Sequence, residues 1–131
     1  MKEENKIAKW EPVANIPSQL YLEGLHDDYE GFRLFLKGKD TSDRILKIQF
    51  TTYLGYRNID ETYRLKTLQK HRILTTGWPL FISKDDDFIA WIITESTGTV
   101  DNSKPYFNYI ICTPNDIVEV VSDETPIVEW L

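Results

Sequence analysis

The chain has 131 residues, 41% of them hydrophobic and 13% aromatic, with 15 Lys and Arg against 21 Asp and Glu for a formal charge of -6. That composition excludes a disordered polymer, and the length suits one domain with a core of its own. The acidic balance argues against a nucleic-acid binder, whose footprint is a basic stripe, and no apolar run is long enough to span a bilayer.

The reading is a single domain over residues 1–131, with residues 1–9 a mobile lead-in. Met1 to Lys6 is charged and lacks the apolar stretch of a secretory signal. Gln19 to Leu25 forms a first strand. Phe32, Leu34 and Leu36 then alternate with polar or outward positions, as do Leu46, Ile48 and Phe50. The turn-rich stretch from Gly38 to Asp43 joins the two runs as a hairpin. Tyr53 to Asn58 adds a strand.

Asp60 is an N-cap for a surface helix over Glu61 to Leu68. Leu80 to Ile82 is a short buried strand. Ser83 with Asp86 three residues on predicts a capped helix from Asp85 to Thr97, closed by Gly98. Tyr106 to Thr113 reads as a strand. Thr113-Pro114-Asn115-Asp116 is a tight turn, and Ile117 to Val121 returns antiparallel. The apolar tail from Pro126 to Leu131 must dock. The result is an α+β domain: an antiparallel sheet of about five to six strands with two helices, in the order β-β-β-α-β-α-β-β.

Catalytic chemistry finds little support. Glu95-Ser96-Thr97-Gly98 lacks the glycine two positions before the serine that a nucleophile elbow needs, and no glycine loop cradles phosphate. Cys112, the single cysteine, lies in a strand as an inert thiol and allows no internal disulfide, which suits a reducing cytoplasm. His26 beside Asp27 and Asp28 matches no metal-ligand spacing, so neither a metal nor a cofactor is expected. The expectation is a protein that is not an enzyme.

Acidic residues gather instead at the junctions. Asp27, Asp28 and Glu30 precede one strand, and Asp85, Asp86 and Asp87 open a helix. The helix dipole alone accounts for the second group. Clustered carboxylates also steer basic partners, and Tyr56, Arg57 and Trp91 are residue types common at binding hot spots.

From Leu20 to Leu131 the chain resembles a family of small bacterial proteins. The residues that carry the likeness are Leu20-Tyr21-Leu22-Glu23, Tyr56-Arg57 with Asp60-Glu61, Trp78 with Leu80-Phe81, and Tyr109 with Thr113-Pro114-Asn115-Asp116 and Glu119-Val120. Members are suspected immunity proteins of polymorphic toxin systems. The resemblance implies a cytoplasmic immunity or inhibitor protein that neutralises a cognate toxin, such as a basic nuclease, through its acidic surface. Its partner-binding residues would be Asp27, Asp28, Glu30, Tyr56, Arg57, Asp85, Asp86, Asp87 and Trp91. The alternative is a non-catalytic interaction module or homodimeric scaffold, with no nucleic acid or membrane as partner.

Overall fold

Strands with one apolar face need a cover on one side only, whereas strands apolar on both faces need two. Both kinds occur here, and they set the layering. A computed structural model describes residues 6–40, 43–101 and 103–131. Among these, the elements in order are β1 (Ile7–Lys9), β2 (Tyr21–Asp28), β3 (Gly31–Lys37), β4 (Ile45–Phe50), β5 (Gly55–Asp60), α1 (Leu65–Lys70), β6 (Leu80–Ser83), α2 (Asp87–Glu95), β7 (Phe107–Cys112), β8 (Asp116–Ser122) and β9 (Ile127–Trp130). The class is α+β. No helix among the described residues is long and apolar enough to cross a membrane.

The strands form two antiparallel sheets, ordered β1-β6-β7-β8-β5 and β2-β3-β4-β9, where the sequence reading expected one. Phe32, Leu34 and Leu36 of β3 and Leu46, Ile48 and Phe50 of β4 are buried, and the positions between them are partly exposed. These six residues meet Leu80, Tyr109, Ile111, Val118 and Val120 of the five-stranded sheet in one cluster. Each such side chain contributes about 1.5–3 kcal/mol on burial.

The other face of the five-stranded sheet is buried too. Phe81, Ile110 and Ile117 pack with Ile7 and Leu74, while Val121 packs with Phe88 and Ile89 of α2. The five-stranded sheet is therefore a middle layer between the four-stranded sheet and the helical segments. A near-continuous apolar run such as Ile117 to Val121 is what two covered faces demand.

Several boundaries differ from the sequence reading. Ile7–Lys9, inside the expected lead-in, pairs with β6, and Ile7 is buried; residues 1–5 lie outside the described residues. β3 and β4 pair antiparallel as the expected hairpin, although Thr41 and Ser42 of its turn also lie outside the described residues. The helix expected over Glu61 to Leu68 is broken. Asp60 does cap it, accepting from the Thr62 N–H at 2.8 Å, but only a 3-10 turn (Glu61–Tyr63) follows before α1. Arg64 interrupts with φ -124°, because its buried side chain turns inward to a partner on β8. A second 3-10 turn (Arg72–Thr75) follows α1.

α2 starts at Asp87 with Asp86 as its cap, accepting from the Ile89 N–H at 3.0 Å. Ser83, the expected cap, is instead wholly buried at the end of β6. At the far end Thr97 and Gly98 both take positive φ, 46° and 94°. The apolar tail docks as β9 against β4, and the Trp130 Nε1–H donates to the Ala14 carbonyl at 2.9 Å.

Candidate functional sites: an acidic hairpin and a polar groove

β2 and β3 pair from Tyr21 opposite Lys37 to Asp28 opposite Gly31, which leaves Tyr29 and Glu30 at the tip. Gly31 takes φ +106°, a value that side chains beyond glycine rarely adopt. The tip is held by its own acids. Arg33 Nη2 donates to both oxygens of Asp28 at 2.7 Å, and Nη1 donates to Glu30 at 3.1 Å. The Glu30 N–H donates to Asp28 at 2.9 Å. That backbone bond is the main reason the Asp28 carboxyl lies below the usual carboxylate range, and the Arg33 charge adds to it.

Asp27 accepts from the Tyr53 hydroxyl at 2.5 Å, and this bond, with burial second, pushes the Tyr53 hydroxyl up to about 12. Two carboxylates thus meet one guanidinium, while Asp27 is held by the Tyr53 hydroxyl. Tyr29, between Asp28 and Glu30, is 95% exposed, the most exposed large hydrophobic side chain among those described.

The second acidic group lies on the other sheet. Asp85 pairs with Lys6 at 2.9 Å, and Asp87 approaches Lys70 at 3.8 Å while remaining 98% exposed. Asp86 has no ion pair among the described residues; its second oxygen accepts from Asn108 Nδ2 at 2.8 Å.

That amide leads into a buried network. Asn108 Nδ2 also donates to Glu119 Oε2 at 3.0 Å, while Glu119 Oε1 accepts from Arg57 Nε at 2.5 Å and Arg64 Nη1 at 2.8 Å. Burial alone would raise the Glu119 carboxyl, but the hydrogen bonds and charges of Arg57 and Arg64 outweigh it and leave it below the ordinary glutamate value. Arg57 also lies over the Phe88 ring at 4.3 Å, and Trp91 stacks on the outer side of Phe88 with centroids 6.4 Å apart. Trp91 is 59% exposed.

Arg57, Asp86, Asp87 and Trp91 thus gather around the start of α2, whereas Asp27, Asp28 and Glu30 gather at the hairpin. Tyr56 joins neither group. Strand alternation turns it toward the inter-sheet core, where it packs on Phe32 at 4.5 Å.

A groove of about 690 Å³ runs between the segment from Lys70 to Arg72 and the run from Asp85 to Asp87, with Ser83 in its lining. A recess of about 60 Å³ shares His71, Asp86 and Asp87 with it and reaches Glu119. Among the described residues no group of three or more His, Cys, Asp and Glu is placed to hold a metal; His26 instead meets the Phe35 ring edge-on at 5.5 Å. Burial is also what pushes the Cys112 thiol up to about 12.

Tyr29, Glu119, Arg64 and Asn108 were missed in the sequence reading. Glu119 had a legible signal, since a lone carboxylate inside Ile117 to Val121 must find a buried partner. Compared with known proteins, the chain matches no family model, no curated protein and no solved structure.

Proposed function

We propose that this chain is a cytoplasmic inhibitor of the immunity class, which neutralises a basic protein toxin by inserting the β2–β3 hairpin into its cleft. The observation that carries this reading is Tyr29, 95% exposed at a tip flanked by Asp28 and Glu30. A protruding aromatic ringed by like charges is suited to a concave basic surface. The aromatic supplies contact energy, and the carboxylates supply steering and specificity.

The hydrogen bonds from Arg33 and from the Glu30 backbone hold the tip in place before any encounter, which lowers the entropy lost on binding.

The test is co-expression with the product of the adjacent gene, followed by binding measurements on the purified pair. Wild type restores growth and binds; Tyr29→Ala weakens the complex by at least tenfold, and neutralising Asp27, Asp28 and Glu30 slows association. Should the neighbouring product be toxic yet ignore this chain, or bind all hairpin variants equally, the proposal is wrong.

A further inference from the structure

We propose that the groove beside α2 is a binding site for a small zwitterion of the α-amino-acid type, its ammonium on the floor and its carboxylate toward Arg72. Ser83 and Asp86 line the groove, and Asn108 stands directly opposite Ser83 on β7. The two carboxylates Asp86 and Glu119 both take hydrogen bonds from Asn108 Nδ2, which orients the amide and leaves Oδ1 as an acceptor. Asn108 Oδ1 and Ser83 Oγ are both buried, and neither has a hydrogen-bond partner among the described residues. The two residues are directly opposed across β6 and β7, so their side chains share the outer face of the sheet.

Buried polar atoms without partners are rare and costly. Asp86 adds acceptor capacity beside them: each oxygen takes one hydrogen bond, and each has lone-pair capacity to spare. An ammonium carries three donors and no acceptor, which matches this set.

The rim has the opposite character. Arg72 is exposed and has no ion pair among the described residues, and neighbouring Lys70 holds Asp87 only loosely at 3.8 Å. A groove of about 690 Å³ lies within the range of roughly 300–1,000 Å³ typical of small-molecule sites.

The experiment uses the isolated chain, so its outcome is independent of the hairpin and its toxin. Each proteinogenic amino acid is titrated at millimolar concentration while the Asn108 side-chain amide is followed by NMR and the melting temperature by calorimetry. The expected result is that at least one shifts the amide and raises Tm, and that its N-acetyl and carboxamide derivatives do neither. Arg72→Ala, at an exposed position, weakens that binding by about tenfold, or about 1.4 kcal/mol. Ser83→Ala weakens it similarly.

The proposal is overturned if no amino acid binds, if binding survives both variants unchanged, or if a crystal structure grown with the amino acid shows only an ordered water between Ser83 and Asn108.

Discussion

Glu119 is the residue on which the helical layer hangs. Arg64 reaches it from the start of α1, Arg57 reaches it from β5 while supporting Phe88, and Asn108 ties it to the cap of α2. Removing one member of such a buried pair leaves the others charged and unmatched, so Glu119→Ala should lose about 3–5 kcal/mol in urea unfolding. Its pH signature follows in sign. With a folded value below the ordinary one, Glu119 stabilises above the glutamate range, and that contribution vanishes as pH falls through the depressed value. Wild type should thus lose stability on acidification, and Glu119→Gln should lose less over the same interval. Tyr29 is the counter-case: with almost no contacts to lose, Tyr29→Ala should change stability by no more than about 0.5 kcal/mol while damaging partner binding.

At the level of elements, the start of α2 shows where sequence reading goes astray. Ser83 and Asp86 are both competent caps, and the spacing favoured Ser83 as the start. The β6 pairing extends through Ser83 opposite Asn108, so the strand claims that residue and the cap passes to Asp86. Asp86→Ala should cost about 1 kcal/mol for the cap alone, with the Asn108 bond lost besides. Arg64 is a similar case, since helical periodicity cannot reveal that one residue must leave the helix to reach β8. The β2–β3 hairpin depends on Gly31, and Gly31→Ala should cost about 1–2 kcal/mol by forcing a side chain into positive φ. Thermal unfolding of both variants checks these values.

For the molecule as a whole, alternation made the β3–β4 hairpin readable, and Thr113-Pro114-Asn115-Asp116 made the β7–β8 turn readable: Thr113 Oγ1 accepts from the Asp116 N–H at 2.8 Å. The division into two sheets was not readable as such, because local pattern says which residues are buried but not against what. Its one trace was the apolar character of β7 and β8 on both faces. The acidic group at α2 suffered likewise: its charges are visible in sequence, but the lysines that meet them come from distant segments, as Lys6 does for Asp85, whereas Arg33 of the hairpin is local. With a net charge of -6, association with a basic partner should slow steeply as salt rises, which stopped-flow mixing at several ionic strengths would register.

The middle-layer position of β8 has an evolutionary corollary. Covered above and below and paired with β5 and β7 on either side, its amides should be among the last to exchange with deuterium. The strand that tolerates least and the tip that tolerates most belong to one small molecule. A saturation library sorted only for folding should therefore accept nearly any side chain at position 29 and very few from 117 to 121, leaving the fingertip free to change without cost to the fold.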